Sequence, residues 1–203
     1  MELAKPLGAK TLYSLDEIKN LFGFRKSVIS GNNFSNLLQK DKFNLIIHPK
    51  SKGSAREWGL TNFRKLIDLL PNERFAIFVT GTESEGELIR NEMPLFFKET
   101  TDMTGKLTLK ELIHFIQAAD GLVAASTGPL HIAAVSGIVA IGLYPPIRPM
   151  HPGRWAPLGD QAIALVKDKE CSVCRGGTEC ECIREISPEE VKNKLLQMTH
   201  ARK

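Results

Sequence analysis

Gly121-Leu122-Val123-Ala124-Ala125-Ser126-Thr127-Gly128-Pro129-Leu130-His131-Ile132-Ala133-Ala134 is the stretch on which the fold turns. A short run of apolar and small residues ends at a polar pair and passes into a glycine, a proline and a second apolar segment. A buried strand that leads directly into a helix is the repeating unit of a parallel sheet, since parallel neighbours need a crossover to return the chain to the starting edge. Gly128 lets another group come close, and Pro129 sits where a helix begins. The first amides of such a helix face outward with partial positive charge, which suits an anion, and Thr127 adds a hydroxyl beside them. His131, near the helix start, is the most interesting titratable residue of the chain. A structural histidine bonded to a carbonyl is the competing account of it.

Outward from this stretch, apolar runs recur at Phe43 to His48, Arg74 to Thr80, Ile138 to Tyr144 and Gln161 to Val166. They are rich in Ile, Val, Leu and Phe without strict alternation, as expected of strands buried on both faces. Between them Phe63, Leu66, Ile67 and Leu70 fall at helical spacing before Pro71. Thr108 with Glu111 forms a capping-box pattern that opens Leu109 to Ala119, and Ser187-Pro188-Glu189-Glu190 starts a terminal helix to about Met198. The order β-α-β-α-β-α-β predicts an α/β fold with a doubly wound parallel sheet and a ligand crevice outside the carboxyl ends of the strands. Residues 1–40 fit this pattern less well. Ser14 to Phe22 has the look of a capped helix and Gly31-Asn32-Asn33 of a turn, so 1–40 is expected to be a leader and 41–203 the domain.

Two further strand ends carry candidate chemistry. After the first strand comes Pro49-Lys50-Ser51-Lys52-Gly53-Ser54-Ala55-Arg56-Glu57-Trp58, in which cations, hydroxyls and a glycine can surround phosphate oxygens. Its spacing is not that of a P-loop, and a solvated basic turn is the competing account. After the second strand, Thr80-Gly81-Thr82-Glu83-Ser84-Glu85-Gly86-Glu87 offers Glu85 and Gly81 to ribose or sugar hydroxyls. Glu83 and Glu87 fit better as the acidic first turn of a helix.

The chain's 203 residues, 42% hydrophobic and 25% charged, suit one well-cored globular domain with an added segment. Its net charge of +4 is compatible with a phosphate ligand but too small to argue for nucleic acid, and basic residues interleaved with aromatic stacking platforms are missing. No apolar run reaches the roughly 18 residues of a membrane span, and the first residues lack the apolar core of a secretory signal. The expected location is cytoplasmic. No Gly-x-Gly-x-x-Gly follows the first strand, which speaks against a nicotinamide dehydrogenase. All four cysteines lie together at Cys171, Cys174, Cys180 and Cys182. Their spacing suits a structural zinc, and four thiols in a surface loop is the alternative.

Taken together, the three loops and their order resemble the C-terminal, donor-binding domain of the ADP-heptose:lipopolysaccharide heptosyltransferases, glycosyltransferase family 9, over roughly residues 43 to 198. Ser126-Thr127-Gly128-Pro129-Leu130-His131 is similar to the family's Asp-Thr-Gly-x-x-His signature, with serine at the acidic position. Arg56, two residues before Trp58, is similar to the basic residue of the family's phosphate-facing loop. The resemblance implies a Rossmann-like domain, one half of a GT-B glycosyltransferase. Such an enzyme transfers a sugar from a nucleotide diphosphate donor to the lipopolysaccharide core, with no cofactor required for catalysis. By position, Ser51, Lys52, Gly53, Ser54 and Arg56 would face phosphate. Ser126, Thr127, Gly128, Pro129, Leu130 and His131 would meet the diphosphate and sugar, and Leu107 would pack on the adenine. The acceptor domain, with its carboxylate base, would precede residue 1, and residues 1–36 would be a remnant of it. On the same resemblance, peripheral association with the inner membrane is an added expectation. A non-catalytic module that binds a nucleotide or nucleotide sugar shares all these features and is the alternative. The Pro- and Arg-rich segment Tyr144 to Trp155 would form either a wall of an acceptor cleft or a plain connection between strands.

Overall fold

The computed structural model describes residues 34–167 and 180–200, with positions 8, 13, 14, 17 and 18 ahead of them. The elements follow as β1 (Phe43–His48), α1 (Leu60–Leu69), β2 (Phe75–Val79), α2 (Glu83–Glu92), β3 (Thr101–Asp102), α3 (Leu109–Ala118), β4 (Gly121–Ala125), α4 (Gly128–Val135), β5 (Val139–Tyr144), α5 (Pro152–Trp155), β6 (Ala162–Val166), α6 (Glu181–Arg184) and α7 (Pro188–His200). A single 3-10 turn, Phe34–Asn36, precedes them. Each of the five expected strands forms within a residue of its predicted bounds. The short edge strand β3 was not predicted, since two residues have no periodicity to read. Ser14 does cap the backbone of Glu17, Oγ accepting from its N–H at 3.2 Å. The rest of the leader helix, and Cys171 and Cys174, lie outside the described residues.

All six strands are parallel, in the order β3-β2-β1-β4-β5-β6. The chain winds outward from β1 to one edge, returns, and winds outward from β4 to the other. Strand side chains alternate between two apolar layers. Leu45, Ile47, Ile77, Val79, Val123 and Ile141 face α1, α2 and α7, while Ile46, Phe78, Leu122, Ala124 and Ala140 face α3 and α4. Burial on both faces explains why the strands lack polar alternation. Gly142 is required by packing: a Cβ there would lie 2.6 Å from both Leu130 and Tyr144.

Helix starts follow local chemistry. Thr82 with Glu85 and Thr108 with Glu111 close full capping boxes on α2 and α3, each satisfying two otherwise orphaned amides. The C-terminal segment is tied back by Trp58, which is wholly buried, donates Nε1 to the Ile186 carbonyl at 2.8 Å and meets the Phe63 ring edge-on at 4.8 Å. Asn62 donates to the Arg184 carbonyl at 2.8 Å, and Cys180 and Cys182 are buried in the same layer. Among the described residues no group of three His, Cys, Asp or Glu is placed to hold a metal, and no helix is long and apolar enough to cross a membrane.

Trp58→Phe keeps an aromatic ring but deletes its donor and leaves a void where the larger indole stood, with the Ile186 carbonyl buried and unpaired. A loss of about 1 to 3 kcal/mol is expected, seen as a lower urea midpoint.

Candidate functional site

Strand order reverses between β1 and β4, so the crossovers that leave their carboxyl ends run in opposite directions and open a crevice. The loops at that point are residues 49–59 and Ser126-Thr127. Two cavities lie there and share Ser54, Thr127 and Gly128. One, of about 480 Å³, runs between β1, β2 and α3; its lining includes His48, Ser51, Lys52, Gly81, Glu85 and Leu107. The other, of about 380 Å³, lies under the segment after β5; its lining includes Arg56, Ser126, His131, Pro149, Met150 and Trp155.

The loop after β1 is built around its own hydroxyls. Ser51 is buried, donates to the Ala55 carbonyl at 2.9 Å, and takes the Glu57 carboxylate on its N–H at 3.0 Å. Ser54 Oγ donates to the Ser51 carbonyl at 2.7 Å. Lys52 and Gly53 both turn left-handed, at φ 48 and 78. A lysine in this region costs about 1 kcal/mol or more, and such conformations cluster at ligand sites. Lys50 is committed elsewhere: burial acts to lower its proton affinity, but Glu92 at 3.1 Å and Glu57 at 3.3 Å outweigh it and raise the ammonium above its ordinary value. Lys52 and Arg56 therefore bring the positive charge to the crevice.

The start of α4 differs from its neighbours. Its N-cap is Thr127, a residue able to cap, yet the side chain makes no cap hydrogen bond. Thr127 is 5% exposed and its Oγ1 is buried with no partner among the described residues. An unmade cap forgoes about 1 kcal/mol, and a buried unpaired hydroxyl costs about 1 to 3 kcal/mol. Thr127 lines both cavities. The arrangement leaves a donor and an uncapped helix terminus aimed at one place, where an anion would satisfy both.

Two of the expected contacts take other positions. Leu130 is completely buried in the α4 layer and lines neither cavity, because its side chain fills the space left by Gly142. Glu85 lines the larger cavity, but its Oε2 accepts from Thr82 N at 2.7 Å and Oγ1 at 2.9 Å and so belongs first to the α2 cap. Leu107 stands with Leu109 and Leu112 as an apolar wall of the larger cavity.

His48 was not singled out from the sequence, although its place as the last residue of a strand is the available signal. It is 8% exposed, its Nδ1 lies 3.0 Å from Thr80 Oγ1, and burial lowers its proton affinity, with the Glu85 charge acting the other way. Burial also lowers His131. Both rings are therefore neutral near pH 7.

Thr127→Val removes a hydroxyl that has no partner and keeps the branched shape. The unliganded protein is expected to gain about 1 kcal/mol in chemical denaturation, whereas a structural hydroxyl would give a loss. For His48 the folded state resists a proton that the unfolded chain accepts near pH 6.5. This stability is present above about pH 6.5 and is lost as pH falls through that value toward the lower folded pKa. His48→Gln should flatten the decline of unfolding free energy between about pH 7 and pH 5.

Known proteins share this architecture. The lipooligosaccharide heptosyltransferase 2 of Campylobacter jejuni serotype O:6 is 25% identical over 173 residues, covering 80% of this chain and 54% of that protein. The solved structure of E. coli ADP-heptose lps heptosyltransferase II superposes with a TM-score of 0.64 at 18% identity, over 83% of this chain and 50% of that one. E. coli heptosyltransferase WaaC with ADP gives 0.63 at 18% identity, over 94% and 58%. The chain thus spans about half the length of these relatives. The family model described as glycosyltransferase family 9 (heptosyltransferase) matches residues 14–183, and the chain belongs to that family.

Proposed function

We propose that this chain is the donor-binding half of a heptosyltransferase, taking an ADP-linked sugar whose glycosyl group passes to a hydroxyl of the lipopolysaccharide core. The observation that carries the proposal is Thr127: a buried, unpartnered hydroxyl at an uncapped helix start, at the junction of two cavities. A nucleotide diphosphate sugar has the matching order of parts. The diphosphate lies over Ser54, Thr127 and Gly128. The base reaches Leu107, Leu109 and Leu112, and the sugar enters the cavity with His131 and Ser126. The relatives support the nucleotide, since one is solved with ADP and another is named for ADP-heptose.

In the transfer, the bond from the sugar's anomeric carbon to the diphosphate breaks as the acceptor oxygen bonds to that carbon. Negative charge grows on the leaving diphosphate. Lys52, Arg56 and the first amides of α4 stabilise it, most effectively in a partly dry cleft. We assign this work to protein cations and helix amides, not to a bound metal, because the donor set around the junction is made of amides, hydroxyls and cations. Neutral His131 contributes a hydrogen bond and no charge. Among the described residues no Asp or Glu lines the sugar cavity, and we assign the base that takes the acceptor's proton to a segment beyond those that line it.

Isothermal titration of the chain with ADP, ADP-heptose, UDP and NAD tests this. ADP-type ligands should bind in preference, binding should survive EDTA, and Lys52→Ala or Arg56→Ala should each weaken it about tenfold, the effect of one charged hydrogen bond. Equal affinity for UDP, or no binding at all, would sink the assignment. Turnover by the chain alone should be negligible, because positioning both reactants supplies much of the rate.

A further inference from the structure

The segment between β5 and β6 holds a third cavity, of about 370 Å³, lined by Arg148, Pro149, His151, Gly153 and Arg154. It adjoins the sugar cavity through Pro149, which lines both. Among the described residues no carboxylate lines it, although Asp and Glu are plentiful elsewhere on the surface. Arg64, Arg90 and Arg184 each pair with an acidic side chain. Neither Arg148 nor Arg154 has an ion pair or hydrogen bond among the described residues, and the guanidinium of Arg154 rests 5.3 Å over the Trp155 ring.

The segment is held in shape before any ligand arrives. Pro145, Pro146, Pro149 and Pro152 fix four φ angles. Ile147 is buried in the core, and Tyr144, wholly buried, donates its hydroxyl to the Trp155 carbonyl. Burial raises the Tyr144 hydroxyl above its ordinary value, a hydrogen bond with the Ser126 side chain acting the other way, so it stays protonated and keeps donating. His151 accepts the Gly153 N–H on Nδ1 at 3.0 Å, which leaves Nε2 as the ring's donor. Two guanidinium forks and one imidazole N–H thus share a pocket with no acidic neighbour among the described residues, on a stiff frame, next to the place assigned to the transferred sugar. Guanidinium forks bind carboxylate and phosphate with paired hydrogen bonds, and preorganisation lowers the entropy lost on binding.

We propose that the pocket of Arg148, His151 and Arg154 is an anion subsite that holds the carboxylate or phosphate of the acceptor sugar and sets which acceptor lies beside the donor. The assignment to the acceptor rests on the donor reading above; the anion site itself does not.

The test titrates the chain, with and without saturating ADP, with glucuronate, glucose 6-phosphate, inorganic phosphate and glucose. Heat is measured together with the fluorescence of Trp155, which is 47% exposed, whereas Trp58 is buried. Both sugar acids should bind in the presence of ADP, and glucose should not. Arg148→Ala combined with Arg154→Ala should weaken that binding at least fivefold while leaving ADP affinity and the urea midpoint unchanged. The single charge reversal Arg148→Glu, at an exposed position, should weaken it at least as much. Absence of sugar-acid binding, or equal binding by the double variant, overturns the proposal. Binding of inorganic phosphate that neither sugar acid displaces also overturns it, and assigns the pocket to a free ion. Failure of the donor reading shows separately, as a parent chain that does not bind ADP.

Discussion

The pairing of β1 with β4, Leu45 to His48 against Gly121 to Ala124, is the constraint on which the rest of this structure depends. Both strands are buried on both faces, so each must be covered by helices above and below. Because connections between parallel strands are right-handed, the two halves of the chain wind away from this pair in opposite directions. The space they leave at its carboxyl end is where backbone amides, loop hydroxyls and the ends of two strands converge. The residues assigned to the diphosphate stand on the loops leaving that edge, and Leu107, Leu109 and Leu112 reach the crevice from the start of α3.

The energetics of the edge differ from those of the core. Below it, aromatic and branched side chains are packed without exposure, and α2 and α3 begin with their amides satisfied. At the crevice the pattern is broken in a consistent direction. Lys52 holds a left-handed backbone, Thr127 declines the cap that its neighbours make, and its hydroxyl is buried without a partner. Each departure costs about 1 kcal/mol or more in the empty protein, and they are concentrated around the crevice.

The electrostatics divide the crevice. Toward β2, carboxylates and an apolar wall frame the space for a nucleoside. Toward β5, the lining turns to hydroxyls, a neutral histidine and then the guanidinium groups of Arg148 and Arg154. A donor and an anionic acceptor laid end to end would meet this gradient in order, with the transferred sugar between them. The proline-rich segment after β5 is part of that division, since Tyr144 fixes it from beneath through the Trp155 carbonyl.

The amino-acid sequence by itself determined five of the six strands, most helix starts and the three loops. These follow from local apolar runs, capping residues and glycine or proline positions, all readable within a few residues. The family signature at Ser126 to His131 was equally local. What only the tertiary structure decided was the use of each side chain. Lys50 and Lys52 sit two apart in one basic loop, yet one is held by Glu57 and Glu92 while the other lines the crevice. Glu85 could serve ligand or cap, and its cap partner claims an oxygen first. Leu130, inside the signature, faces the core because Gly142 leaves room for it there. His48 ends a strand without a motif around it and becomes a cavity residue only when β2 brings Thr80 alongside. The Glu85 choice is settled within three residues by its capping box, whereas Leu130, His48 and Lys50 are settled by Gly142, Thr80 and Glu92, which lie far along the chain and are brought close by a sheet order that no local pattern encodes.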